Sequence, residues 1–216
     1  MSIKIVLADD HTILRQSLTK SFKEEKDIEI VGQARDGRSA LDLVKELQPD
    51  MVVMDIEMPD LNGLEATRKI VKDFPQVKVL GLSMHSNDKY IREMFRAGAS
   101  GYLLKNCPFE ELVEAVRSVV RGKAFIGTSV GSVIIKEYVN TPEKDQSAFS
   151  VLSEREREVV QLLAEGQTTK QIARRMHISP KTVEGHRLRT MEKLGIDSIA
   201  KLTKYAIQEG MTTPEP

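Results

Sequence analysis

A doubly wound α/β domain followed by a small all-helical domain is the fold class this sequence predicts. Three observations carry it. Over the first 120 residues, short β-branched apolar runs alternate five times with longer amphipathic stretches, the pattern of strand–helix repeats around a parallel sheet. Residues 140–150 (NTPEKDQSAFS) are polar and aperiodic, with Pro142 as a breaker. Beyond them only helical periodicity remains, in four short runs.

In chain order, Ile3-Lys4-Ile5-Val6-Leu7-Ala8 reads as a strand, and Ile13, Leu14, Leu18 and Phe22 pattern the helix after it. Residues 28–34, 51–54, 77–82 and 101–104 are the next four strands. Between and after them come helices over 37–47 and 63–74, and one through Tyr90, Ile91, Met94 and Phe95. Pro108 opens the last helix, where its missing N–H costs nothing. The strands are near-continuously apolar, as strands buried on both faces are, and right-handed crossovers join them. After residue 123 the pattern decays, although 127–138 has the spacing of a short helix. The predicted domains are therefore 1–122, a linker over 123–150, and a helical domain over 151–216.

The chain is 40% hydrophobic and 30% charged with zero net charge, an ordinary composition with apolar material for real cores. No apolar run approaches the ~20 residues that span a bilayer. Ile3 to Ala8 is too short for a secretory leader. Cys107 is the only cysteine, so no internal disulfide is expected, which suits a reducing compartment. A cytoplasmic protein with no membrane partner is the expectation. The charge is uneven, however. Lys170 to Lys193 holds 7 basic residues against 2 acidic, a local surface for nucleic acid.

In a doubly wound sheet the ligand site lies beyond the carboxyl ends of the strands. Here the first strand stops at Asp9-Asp10, the third at Asp55, the fourth near Ser83, and the fifth before Lys105. Three clustered carboxylates repel one another and invite a hard divalent cation such as Mg²⁺. Beside it, Asp55 can attack phosphorus to form an acyl phosphate, with Lys105 neutralising one phosphoryl oxygen and the Ser83 hydroxyl reaching another. Taken singly, an Asp-Asp pair caps a turn more often than it binds metal. The coincidence at four strand ends is the signal.

Those residues, with the segment MDIEMPDLNG around Asp55 and Tyr102 before Lys105, resemble the receiver domain of bacterial two-component response regulators. The resemblance implies a flavodoxin-like, five-stranded receiver phosphorylated on Asp55 by a sensor histidine kinase. It implies Mg²⁺ held by Asp10, Asp55 and the Glu57 backbone carbonyl, with Asp9 acting through water. Ser83 and Tyr102 match the family's switch pair, and Pro59 and Gly63 its turn after the phosphorylated Asp. Many receivers carry proline directly after the lysine. Here Asn106 follows Lys105, so a cis peptide is not expected there.

In the helical domain, Ser153 with Glu156 forms a capping box, and Thr168 or Thr169 caps a second helix. Ser179-Pro180 starts a third after a tight turn. Helix, short turn and basic helix make the helix-turn-helix signature. Ile172, Ala173 and Val183 read as core. Lys181 and Glu184 are candidates for base contact, with Thr182 and His186 also available to DNA. Thr168, Thr169, Lys170, Arg187 and Arg189 are phosphate binders. Gly185 costs roughly 1 kcal/mol of helix propensity against Ala, which suggests a close backbone approach. The run from LSEREREVVQLLAEG through KTVEGHRLRTMEKLG to AKLTKYAIQEG resembles the LuxR-type helix-turn-helix of the NarL/FixJ class. By that resemblance, Ile199, Leu202, Ala206 and Ile207 belong to part of a dimer interface on DNA; core packing is the other reading of the same four, and the two are compatible. A two-fold dimer predicts an inverted-repeat operator.

His85 lies beside the switch loop, where it can tune access to Asp55, while His11 reads as a helix-start residue. A phosphohydrolase would place a second Asp two residues after the nucleophile, but Glu57 stands there. The expected turnover is confined to the chain's own phosphoryl group, so it is not classed as an enzyme. A receiver working without phosphorylation would have no reason to keep Asp9, Asp10, Asp55, Ser83 and Lys105 together.

Overall fold

The computed structural model describes residues 2–131 and 151–212. The chain divides into two compact units, Met1–Pro142 and Glu143–Pro216. In the first, strands β1 (Ile3–Ala8), β2 (Ile28–Ala34), β3 (Met51–Asp55), β4 (Lys78–Ser83) and β5 (Gly101–Leu104) alternate with helices. These are α1 (Thr12–Phe22), α2 (Gly37–Leu47), α3 (Gly63–Asp73), α4 (Asp88–Arg96) and α5 (Phe109–Val120). Among the described residues every strand pairing is parallel, in the order β2-β1-β3-β4-β5, with a sixth strand, β6 (Phe125–Ile126), beyond β5. The order reverses direction between β1 and β3, so the loops leaving these two strands splay apart and open a crevice.

The sixth strand corrects the five-stranded expectation. β6 is Phe125–Ile126, in the stretch read as linker, and it continues the sheet beyond β5. Phe125 N–H donates to Ser100 O at 3.1 Å and Gly127 N–H to Tyr102 O at 2.9 Å. Two residues are too few to show a period of two, yet they cover an otherwise open edge. Residues 128–131 are helical; the remainder of the expected 127–138 helix, and the polar stretch 140–150, lie outside the described residues.

The core follows the apolar strands: Ile5, Leu7, Met51, Val53, Leu80, Leu82 and Leu103 pack against Leu112, Val113 and Val116 of α5. Ile13 departs from expectation at 85% exposed, since α1 buries only Phe22 fully and Leu14 and Leu18 in part. Pro108 is the N-cap of α5 and not its first residue. Asn62 caps α3 by accepting from Glu65 N–H at 2.9 Å. Gly63 then passes so close to β3 that an added Cβ would lie 1.8 Å from Asp55 O. Only glycine fits this return of the chain past the end of the strand.

Among its described residues the second unit has helices α6 (Glu154–Ala164), α7 (Thr169–Met176), α8 (Pro180–Leu194) and α9 (Ile199–Gln208). Ser153 and Glu156 close a capping box on α6, and Thr168 with Gln171 closes one on α7. His177 ends α7 in the left-handed conformation, φ 54°. Ser179 caps α8 with Pro180 following. Val159, Val160, Leu162, Ile172, Ala173, Met176 and Val183 form the core. Leu202 and Ala206 of α9 are buried in that core too. For these two positions the core-packing reading describes what is seen within the unit.

Candidate functional site

The parallel register places the acidic residues. Ala8 pairs with Met54, so Asp9, just past β1, stands beside Asp55, the last residue of β3. Ser83 pairs with Leu104, and Lys105 N–H donates to Ser83 O at 2.7 Å. Four strand ends thus converge at one edge. Lys105 Nζ lies 2.7 Å from Asp55 Oδ2 and 2.8 Å from Asp9 Oδ2, all three side chains being buried. Asp10 is exposed. Ligand atoms of Asp9, Asp10, His11 and Asp55 all lie within 4.8 Å of one another. His11 joins this group through Nδ1, 2.8 Å from Asp10 Oδ1 and 3.2 Å from Asp9 Oδ1.

One ammonium does not balance three carboxylates. Burial pushes the Asp55 carboxyl up to about 6; Lys105 opposes the rise, and Asp9 and Asp10 add to it. Burial would lower the Lys105 ammonium, but Asp55 and Asp9 outweigh it and raise the group. The pocket is therefore short of positive charge. Close-set hard oxygen donors with a charge deficit are the donor set a Mg²⁺ ion takes. The residues present fit it.

Beyond the carboxylates, Ser83 and the Tyr102 ring are both buried. Tyr102 OH donates to His85 O at 2.7 Å, and His85 N–H donates to Ser83 Oγ at 3.1 Å. Burial pushes the Tyr102 hydroxyl up to about 12. His85 Nε2 lies 2.8 Å from Glu57 Oε1, and its ring stacks on Tyr90 with centroids 4.5 Å apart. Sequence reasoning missed Arg15, whose guanidinium donates to Asp9 O at 2.5 Å from the second turn of α1. Its signal is only that the helix after β1 must begin over the site. Among the described residues there is no cis peptide, Lys105-Asn106 included.

In the helical unit, Thr168, Lys170, Lys181, Thr182 and Arg189 are exposed, while Thr169, Glu184, His186 and Arg187 are half-buried. Glu184 is engaged on both oxygens. Thr169 Oγ1 donates to Oε1 at 2.7 Å, and Arg187 Nη2 lies 2.7 Å from Oε2. Burial lowers the His186 imidazole, and Arg189 lowers it further. On α9, Ile199 is 43% exposed and Ile207 half-buried. Among the described residues, no helix is long and apolar enough to cross a membrane.

Comparison with known proteins agrees with this geometry. Residues 5–117 match the response regulator receiver domain, and residues 150–206 match the bacterial regulatory proteins of the LuxR family. The oxygen regulatory protein NreC of Staphylococcus carnosus (strain TM300) is 40% identical over 212 residues, covering 96% of this chain and 98% of that one. A LuxR-family two-component response regulator from Aurantimonas sp. SI85-9A1 superposes with a TM-score of 0.63 at 32% identity, over 65% of this chain and all of that one. The Salmonella typhimurium response regulator RcsB gives 0.59 at 25% identity, over 94% and 97%. This chain therefore belongs to the response regulators, transcription regulators in which a receiver domain is joined to a LuxR-family DNA-binding domain.

Proposed function

We propose that Asp55 accepts a phosphoryl group from a sensor histidine kinase, and that the phosphorylated chain pairs on an inverted-repeat operator in the cytoplasm. Residues 1–122, with the β6 strand that extends their sheet, are the receiver, the rest of 123–150 the link, and 151–216 the DNA-binding domain. The observation that carries the reading is the Lys105 ammonium held between Asp9 and Asp55 in a pocket short of positive charge. Asp9, Asp10, Asp55 and the Glu57 carbonyl are the residues to hold Mg²⁺, which when bound supplies the missing positive charge.

An Asp55 carboxylate oxygen attacks phosphorus in line; the O–P bond forms as the bond to the donor's imidazole nitrogen breaks, leaving the electron pair on that nitrogen. Lys105 stays with the phosphoryl oxygens, and Ser83 donates its hydroxyl to another. Asp55 must be ionised to attack, so burial that raises its carboxyl makes the receiver reluctant until positive charge is added. Tyr102 and His85 share hydrogen bonds with the Ser83 segment, and this segment is the two-state element that the phosphoryl group biases. The only turnover is gain and loss of that group, so the chain is a switch and not an enzyme in the metabolic sense.

At the DNA end, Lys170, Arg187, Arg189, Thr168 and Thr169 serve phosphates, and Lys181, Thr182 and His186 stand toward the groove. Of the four α9 candidates, Ile199 and Ile207 keep exposed surface for pairing. The test treats the full chain with Mg²⁺ and a beryllofluoride mimic, then measures dimerisation and DNA affinity. Both rise in wild type and not in Asp55→Asn. Identical behaviour of the two proteins contradicts the proposal.

A further inference from the structure

Helix α8 carries an exposed feature that phosphate contacts do not use. Counting from Lys181, residues 184, 185 and 188 follow at three, four and seven positions and share one helical face. The opposite face is buried through Val183 and Thr190. On the outward face Glu184 spends both oxygens inside the domain, on Thr169 and Arg187. Gly185 leaves a gap one turn before Leu188; a Cβ built there would meet only Arg189 Nη2, at 3.5 Å. Leu188 is 60% exposed, more than any other large hydrophobic residue described in this unit. A lone exposed leucine is unremarkable on most surfaces. This one stands within a segment of 7 basic and 2 acidic residues, on the second helix of a helix-turn-helix.

We propose that Leu188 reads thymine, its methyl groups meeting the C5-methyl of one thymine per half-site in the major groove. Only thymine presents a methyl there. Gly185 lets the helix approach closely, and Lys181 makes the polar base contact two turns earlier. Glu184 reads no base, because its carboxylate is held within the domain by Thr169 and Arg187, and turning it to a cytosine amino group would break those bonds. The inference rests on the proposed DNA binding, and the surrounding positive charge selects duplex DNA as the occupant over a second copy of the chain.

The experiment selects bound duplexes from random DNA with the beryllofluoride-treated full chain. It then replaces each thymine of the selected site by uracil, which removes only the methyl. At one position per half-site the replacement weakens wild-type binding about fourfold, the worth of one buried methyl-sized group. Leu188→Ala binds the thymine and uracil sites alike while still preferring the selected sequence elsewhere. Glu184→Gln keeps the wild-type base preference at every position. A selected site without such a thymine, uracil binding as well as thymine, or Leu188→Ala retaining the discrimination overturns the inference and leaves the proposed function standing. A change of preference at one cytosine in Glu184→Gln overturns the part assigned to Glu184. A chain that binds no duplex overturns the proposed function and this inference together.

Discussion

The receiver pocket and the helix-turn-helix unit handle their acids in opposite ways. In the pocket, Asp9 and Asp55 are buried together and share one ammonium, Lys105. In the helical unit each interior acid has its own partner. Glu156 accepts from Lys193 at 2.7 Å and from Ser153 N–H at 2.8 Å. Glu158 lies 3.1 Å from Arg155, and Glu184 is held by Thr169 and Arg187. The consequences show in the carboxyl groups themselves. Burial drives Asp55 up to about 6, whereas Glu156 settles at about 2 because Lys193 and Ser153 outweigh its burial. The receiver thus stores an unmet demand for positive charge at the place where chemistry occurs. The helical unit ties its acids down and leaves Lys170, Lys181 and Arg189 exposed.

Substitutions can break or sharpen that contrast. The largest effect is expected from Lys105→Ala, which removes the ammonium held between Asp9 and Asp55. Phosphoryl uptake from acetyl phosphate in Mg²⁺ falls about 10²–10³-fold, the scale for loss of one stabilising donor, as read by single-turnover labelling. Uptake at the wild-type rate would mean that Lys105 is a structural residue only.

Next comes the stability of Asp55→Asn with Mg²⁺ chelated. The folded value of Asp55 is raised above its unfolded value of 3.8. Its contribution is therefore fully present below pH 3.8 and is lost as pH rises through about 6. At pH 7.5 the asparagine variant is more stable by about 2–3 kcal/mol, and the advantage disappears by about pH 4. Urea unfolding at the two pH values reads both. An equal or negative difference at pH 7.5 would remove the charge deficit from the account.

The smallest change tests the paired side of the comparison. Glu156 has its folded value depressed from 4.5 to about 2, so its stabilisation is present above pH 4.5 and lost as pH falls through about 2. Glu156→Gln costs the helical unit about 1 kcal/mol at neutral pH, the usual worth of a cap. That difference shrinks in acid, in the reverse direction to Asp55→Asn.

Much of this was legible in the sequence where the physics is local. Strand ends carrying Asp9, Asp55, Ser83 and Lys105 are fixed by apolar runs that stop abruptly, and the caps at Ser153 and Ser179 need only a few residues of context. What escaped depends on neighbours distant in the chain. β6 is too short to have a period, and its existence depends on the free edge of β5. A helical repeat shows where the buried face begins but not how wide it is, so Ile13, read into the helical pattern, stands 85% exposed. The bond from Thr169 to Glu184, fifteen residues later, exists only because α7 and α8 pack together.

The central claim is that Asp55 takes the phosphoryl group because the pocket supplies what acyl phosphate formation needs. The most direct measurement is peptide mapping by mass spectrometry of the full chain after acetyl phosphate and Mg²⁺, with borohydride trapping of the acyl phosphate. The account predicts one modified residue, Asp55, with labelling abolished by chelating the metal and by Asp55→Asn. A label on another residue, or one of equal yield in Asp55→Asn, would contradict it.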